Sequence, residues 1–134
     1  MIIISQPKLE VRENEVLVSS CIEDDKKHFR ETIFYKTSAA YGPYAVTEKA
    51  DLFVLSALMP ALFSQSDIRV EGTLSSDLKY TLENGLIYIL AKTYGVRPIK
   101  VHAERIETFE FGGKAVGAGC SMGVDSLATI KQHY

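Results

Sequence analysis

The residues that could carry chemistry lie near the end of the chain, in the stretch GAGCSMGVDSLATIKQHY, residues 117–134. The pattern predicts a strand over 115–118, a Gly/Ser-rich loop over 119–126 and then the start of a helix. Such a loop binds phosphate, because its backbone N–H groups point at the anion and the helix dipole favours negative charge. Glycines allow the tight turn and serine hydroxyls can donate to phosphate oxygens. These residues are Gly117, Gly119, Gly123, Ser121 and Ser126.

Asp125 lies inside this loop, where a carboxylate repels phosphate unless Mg²⁺ or a hydrogen bond that orders the loop compensates. Mg²⁺ binds carboxylate and phosphate oxygens together, so Asp125 is the candidate metal ligand and a nucleotide with its metal ion is the expected ligand. An ordinary turn that caps the last helix is the alternative interpretation. The loop lacks the Gly-Lys-Ser/Thr ending of a Walker loop. The residues predicted to bind the phosphates are Ser121, Met122, Gly123, Val124, Asp125 and Ser126.

The order of residues 121–126, SMGVDS, resembles the Ser-Gly-Gly-x-Asp-Ser signature of the PP-loop ATP pyrophosphatases, with Met122 in place of a glycine. The resemblance implies that the loop holds the β,γ-pyrophosphate of ATP while AMP is transferred to an acceptor. It implies a small-molecule or RNA acceptor without identifying one. The preceding region is loosely similar to the N-terminal part of bacterial relatives of 7-cyano-7-deazaguanine synthase.

The PP-loop resemblance covers residues 115–134, so it implies only the opening of a doubly wound ATP-binding domain. We therefore expect an N-terminal α+β domain over 1–111 and the start of a truncated PP-loop domain over 112–134, inactive on its own. A non-catalytic α+β binding or oligomerisation module, with a structural Gly/Ser loop, is the alternative function. Leu127 and Ile130 would leave apolar surface uncovered, which predicts a homodimer under either interpretation.

The elements before the loop predict an antiparallel sheet followed by helices and β-α-β units. Alternating residues over 15–37, around a charged turn, predict a β-hairpin, and residues 2–4 and 8–12 predict a further strand interrupted at Pro7. The stretch SAAYGPYAV, residues 38–46, predicts a loop. A helix is expected to begin at Thr47 as N-cap and to kink or split at Pro60.

Residues 68–94 contain a strand and then a stretch with two competing interpretations. The stretch DIRVEGTL alternates as a short strand, which is expected to end at Gly72. Asn84-Gly85 favours a hairpin, whereas leucines and isoleucines at helical spacing, with Ser75 or Ser76 as N-cap and Gly95 after the end, favour a helix. The helix is the prediction adopted for 76–94. A strand with apolar Ile99, Val101, Ala103 and Ile106 follows.

Composition limits the function classes. The 134 residues carry a net charge of −2 with a sequence pI of about 5.9, so no overall positive field would attract nucleic acid or anionic lipid. Two cysteines fit no metal-ligand spacing, and no apolar stretch suits a signal peptide or a membrane span. We expect a cytoplasmic protein without a membrane partner. Several tyrosines are candidates for a binding face, although most should lie at the edge of the core: Tyr41, Tyr44, Tyr80, Tyr88 and Tyr94.

ATP with Mg²⁺ should bind a form of the chain that continues past Tyr134, and Asp125→Asn should weaken this binding. The loss should be roughly tenfold or more, because a charged interaction contributes about 1.5–3 kcal/mol. Isothermal titration calorimetry measures the binding, with EDTA in place of Mg²⁺ as control. Binding that Asp125→Asn leaves unchanged would count against the phosphate loop, and pyrophosphate release by the 134-residue chain would overturn its expected inactivity.

Overall fold

The computed structural model describes residues 1–26 and 28–110, with Val124, Ala128 and Lys131 beyond them. The described strands are β1 (Ile2–Ser5), β2 (Lys8–Val11), β3 (Glu15–Asp24), β4 (Phe29–Ser38), β5 (Ile68–Ser75) and β6 (Val101–Glu107). The described helices are a 3-10 helix (Ala39–Tyr44), α1 (Asp51–Ser64), α2 (Ser76–Thr81) and α3 (Ile87–Tyr94). The predicted α+β fold is therefore confirmed for this part of the chain, while the proposed domain division at 111–112 stays a prediction.

The six described strands form one mixed sheet. β3 and β4 pair antiparallel along the full length of both, which confirms the predicted hairpin. Because β4 occupies one edge of β3, both β1 and β2 lie along its other edge, where Ile4 pairs with Ile22 and Lys8 with Ser19. They form one strand interrupted before Lys8, as the sequence predicted from Pro7, which cannot donate to a ladder.

Parallel pairing extends the sheet from β1 to β5 and from β5 to β6. The helical segment of α2 and α3 connects β5 to β6, since parallel neighbours need a crossover connection. This is the predicted β-α-β unit. The three parallel strands carry their carboxyl ends to the same edge of the sheet, which we call the carboxyl edge.

One face of the sheet and the helices enclose the described core. Alternation along the strands places apolar residues on this inner face, and α1, α2 and α3 cover them. On the other face side chains such as Arg69, Glu71 and His102 are exposed. None of the described helices is both long and apolar enough to cross a bilayer. The inner-face strand residues are Ile2, Ile4, Ile22, Ile68, Val70 and Val101.

A set of hydrogen bonds, the carboxyl-edge network, joins the elements that meet at the carboxyl edge. The Gln6 side chain, just after β1, donates to the carbonyl oxygen of Thr47 at 2.5 Å and accepts from the Thr73 amide at 3.0 Å. The Asp51 carboxylate accepts from the amide of Ser75 at 2.9 Å and from its hydroxyl at 2.6 Å. The network therefore fixes the start of α1 against the ends of β1 and β5.

The predicted start of the first helix is wrong, and so is the predicted split at Pro60. α1 begins at Asp51, with Ala50 as N-cap and no capping side chain. Thr47 lies outside the helix because Gln6 binds its carbonyl oxygen. The helix also continues through Pro60 to Ser64. Pro60 is exposed, so water can solvate the carbonyl group that the missing N–H leaves without a donor.

The predicted end of β5 and the predicted loop over 38–46 also differ from the structure. β5 continues past Gly72 to Ser75, with an irregularity in its pairing to β6 between Val70 and Thr73. The stretch predicted as a loop over 38–46 contains the 3-10 helix, and the Ser38 hydroxyl caps it by accepting from the Ala40 amide at 3.4 Å. Gly72 thus permits an irregular strand where the sequence suggested its end.

Residues 76–94 are helical, as predicted, and the hairpin alternative is excluded. Ser75 is the N-cap, with its hydroxyl accepting from the Leu78 amide at 3.3 Å, and Gly95 closes α3 in the left-handed conformation. A π-helical turn over Leu82–Leu86 separates α2 from α3 and contains Asn84-Gly85. The Asn84 side chain donates to the carbonyl oxygen of Tyr80 at 2.9 Å, so it supports the helix instead of a turn.

Two glycine-to-alanine substitutions should change stability in opposite directions. At Gly72, with φ 157°, an added Cβ would overlap the Gln6 side-chain oxygen. Gly72→Ala should lower the free energy of unfolding by about 1–3 kcal/mol, because it displaces the acceptor of the buried Thr73 amide. Gly85→Ala meets no atom within 4 Å and should raise it by about 0.5–1 kcal/mol. Urea denaturation measures both, and changes of the same sign would contradict this account.

The ion pair between β3 and β4 should affect the titration of Glu15. The Lys36 ammonium lies 3.0 Å from the Glu15 carboxylate and lowers its pKa, and Arg12 adds to the effect. The pair's contribution to stability is therefore present above the ordinary glutamate value of about 4.3 and lost as pH falls through the lower folded pKa. Lys36→Met should raise the Glu15 pKa toward its ordinary value in a carboxyl ¹³C NMR titration, with Lys92→Met as control. An unchanged Glu15 pKa would refute the pairing.

Candidate functional site

A cleft of about 400 Å³ lies between the end of β4, the 3-10 helix and the start of α1. Its lining is mostly apolar and includes three tyrosines. Large apolar clefts with a few polar groups are where soluble proteins most often bind small molecules. We call this feature the tyrosine cleft, and its lining residues are Val18, Tyr35, Lys36, Thr37, Tyr41, Tyr44, Ala45, Val46, Lys49, Asp51 and Leu52.

The 3-10 helix forms one wall of the tyrosine cleft. Gly42 lies so close to β3 that a Cβ on it would be 3.1 Å from a methyl group of Val16, so a small residue lets this segment approach the sheet. The short helix then presents Tyr41 and Tyr44, which are 60% and 78% exposed. These two rings are therefore available to a ligand instead of being used in the core.

Tyr35 forms the opposite wall and is held in place by two contacts. Its ring packs edge-on against Phe53, with 5.8 Å between centroids. Its hydroxyl lies 2.6 Å from the Ser56 hydroxyl, which itself donates to the carbonyl oxygen of Leu52 at 2.7 Å. Because the Ser56 proton is used in that bond, Tyr35 is the donor to Ser56. The result is a fixed aromatic wall beside two exposed rings.

The polar end of the cleft is formed by Lys49 and Asp51. The Lys49 ammonium lies 3.5 Å from the Asp51 carboxylate and 4.7 Å from the centre of the Phe109 ring. Asp51 also belongs to the carboxyl-edge network through Ser75. The charged groups at this end therefore neutralise each other within the chain, which suits a ligand without a large net charge.

The cleft adjoins a second depression at the carboxyl edge. This depression, of about 260 Å³, shares Lys49 and Asp51 with the tyrosine cleft and also includes Ser75, Asp77 and Phe109. Ligands of open α/β sheets bind outside the carboxyl ends of the strands, so its location matches a common binding position. Across the described ranges, no three His, Cys, Asp or Glu side chains are grouped in a way that could hold a metal ion.

The residues predicted from the sequence to bind ATP lie outside the described part of the chain, with one exception. Val124 is helical and 83% exposed, so the predicted loop over 119–126 is wrong at this position. The predicted roles of Asp125 as a metal ligand and of the other five loop residues stay predictions. The apolar pair proposed for dimerisation lies in the same region. The residues concerned are Ser121, Met122, Gly123, Ser126, Leu127 and Ile130.

The sequence pattern indicates candidate tyrosines but not the cleft. All five candidates are exposed, yet only Tyr41 and Tyr44 line the tyrosine cleft. Tyr35, which forms the fixed wall of the cleft, lies in a stretch whose pattern predicts only a strand. Alternation along β4 shows which face Tyr35 occupies, but not that the 3-10 helix lies across from it, so no local signal could have joined these residues.

Comparison with known proteins gives little similarity. No protein-family model matches the chain, and no curated protein matches it. A solved structure that matches is the crystal structure of Fowlpox virus resolvase with its substrate Holliday junction DNA, at 16% identity, over 85% of this chain, with a TM-score of 0.24. The chain spans 66% of the resolvase chain. A TM-score this low supports no conclusion about the function of this protein.

The resemblance to the PP-loop ATP pyrophosphatases, including relatives of 7-cyano-7-deazaguanine synthase, is therefore wrong as an assignment. No family model and no curated protein of that kind matches the chain. The signature is short and departs at Met122, and glycine, serine and aspartate are also the ordinary residues of a turn before a helix. Phosphate binding at 121–126 is a separate prediction, because it depends on local backbone geometry and not on family membership.

Proposed function

We propose that this chain is a binding domain and that its tyrosine cleft takes a planar aromatic molecule of the size of a bicyclic ring. The observation that supports this function is the arrangement of Tyr35, Tyr41 and Tyr44 around one apolar space of about 400 Å³. That volume lies within the range of roughly 300–1,000 Å³ typical of small-molecule sites. The proposal corresponds to the alternative function predicted from the sequence, a non-catalytic binding module, and assigns it a binding site.

Aromatic recognition follows from the state of the three rings. Tyr35 is already ordered by Phe53 and Ser56, so it loses little conformational freedom when a ligand packs on it. Tyr41 and Tyr44 expose most of their surface, and a ligand would remove that apolar area from water. Offset or edge-to-face contacts between aromatic rings add to this gain.

The polar groups of the cleft provide orientation. Thr37 and the Lys49–Asp51 pair are lining residues, so an amino group or a ring nitrogen of the ligand has hydrogen-bonding partners in the cleft. A purely apolar ring would lack this interaction. The favoured ligand class is therefore a nitrogen heterocycle with little net charge.

Three partner predictions from the sequence remain proposals. ATP with Mg²⁺ and an acceptor depend on residues 121–126, and the homodimer was predicted from Leu127 and Ile130. These residues lie outside the described part of the chain, apart from Val124. The tyrosine cleft does not depend on any of them, so it can be tested alone.

Adenine and indole should both bind the tyrosine cleft, adenine more tightly, and Tyr44→Ala should weaken the binding of each. The expected loss is about tenfold in Kd, the equivalent of one aromatic contact of roughly 1.4 kcal/mol. Titrations followed in ¹H–¹⁵N NMR spectra should shift the amides of Val46 and Leu52, which line the cleft.

Tyr80→Ala is the matched control, because Tyr80 is 70% exposed and does not line the cleft. Its Kd values should equal those of the wild type. The proposal would be overturned if neither probe shifted the cleft amides at millimolar concentration, or if the two alanine variants weakened binding equally.

A further inference from the structure

The strand β4 has one paired edge and one edge that pairs with no described strand. Its ten residues all pair with β3, and the register has no bulge. All but one of the ten residues are exposed. A row of N–H and C=O groups therefore faces outward over ten residues, which is a template for pairing with another strand.

β4 carries three charged side chains, Arg30, Glu31 and Lys36, but few of the other features that protect an edge strand from such pairing. It contains no proline, and its exposed side chains include Phe29, Phe34 and Tyr35. Its two cations are engaged by β3: Arg30 lies 3.0 Å from the Glu23 carboxylate, and Lys36 lies 3.0 Å from that of Glu15. Both cations are therefore already paired within the sheet, and Glu31 is the remaining charged residue of the strand.

We infer that β4 pairs antiparallel with β4 of a second copy of this chain, so that one sheet continues through both copies. A second copy fits because a strand edge is complementary to itself about a two-fold axis: every donor on one strand meets the equivalent acceptor on the other. The charge pattern of β4 then determines the register.

Side-chain direction limits the registers. Odd-numbered residues of β4, such as Tyr35, face α1, and a two-fold axis perpendicular to the sheet keeps the α1 sides together. Opposite residues must therefore have numbers of the same parity. If Ile33 lies opposite Ile33 of the second copy, Arg30 lies opposite Lys36 of the second copy, which places like charges together.

Pairing centred on Phe34 avoids this repulsion. Phe34 then faces Phe34 of the second copy, Lys36 faces Thr32 and Arg30 faces Ser38, so the whole of Arg30–Ser38 is aligned. Centring on Thr32 would align only residues 29–35. The register centred on Phe34 therefore combines the longest pairing with no like charges opposite each other, and it places two exposed aromatic rings in contact.

Single cysteines test both the interface and the register. In a Cys21→Ser, Cys120→Ser background, Phe34→Cys should form a disulfide-linked dimer under mild oxidation, because opposite Cα atoms in antiparallel pairs lie about 4.5–5.5 Å apart. Thr32→Cys is the matched control on the same face. In this register residue 32 of one copy lies about 13 Å along the strand from residue 32 of the other, so the two cysteines should not crosslink.

Sedimentation measures the association without crosslinking. The wild type should sediment at twice 14.9 kDa at high micromolar concentration, and Phe34→Lys should sediment at 14.9 kDa with an unchanged circular dichroism spectrum. Tyr80→Lys, the same change at an exposed aromatic residue outside β4, should remain a dimer. A wild-type monomer at every concentration, or equal crosslinking at 32 and 34, would overturn the inference. Neither outcome affects the tyrosine cleft, which Phe34 does not line.

Discussion

The carboxyl-edge network is the constraint on which the rest of the described structure depends. Gln6 and Asp51 each bind a backbone amide of β5, and the chain brings these residues together from three separate segments. Such bonds give buried amide donors an acceptor. Each donor left without one would cost roughly 1–3 kcal/mol. These bonds also decide where α1 starts, and with it the positions of Lys49 and Leu52 in the cleft. A helix that began at Thr47 would have put other side chains there.

The tyrosine cleft depends on how the covering elements meet the sheet. α1 packs on β1 and β5, while β4 reaches beyond it and is joined to the helix through Tyr35, Phe53 and Ser56. The 3-10 helix covers β3 because Gly42 brings the backbone close to Val16. Between these supports the inner face of β4 stays open. The tyrosine cleft and the edge of β4 that pairs with no described strand thus have the same cause, because the β3–β4 hairpin extends past the helices.

The motif at 121–126 can be tested as chemistry separately from the family it resembles. Its residues do support a chemical argument, because glycines, hydroxyls and a helix N-terminus favour an anion wherever they occur together. They do not support a family, since the same residues cap ordinary helices and the comparisons return no PP-loop relative. The distinction is physical: phosphate binding is a local property of the backbone, whereas membership requires the whole doubly wound sheet.

The sequence by itself determined those features that depend on neighbours along the chain. The period of two in β3 and β4, the helical spacing over 76–94, the interruption at Pro7 and the cap residues Ser75 and Gly95 are all local. Only the tertiary structure decided the start of α1, the passage of β5 through Gly72, and the meeting of Tyr35 with Tyr41 and Tyr44. These features depend on contacts between residues far apart in sequence, such as Gln6 with Thr73, which no local pattern encodes.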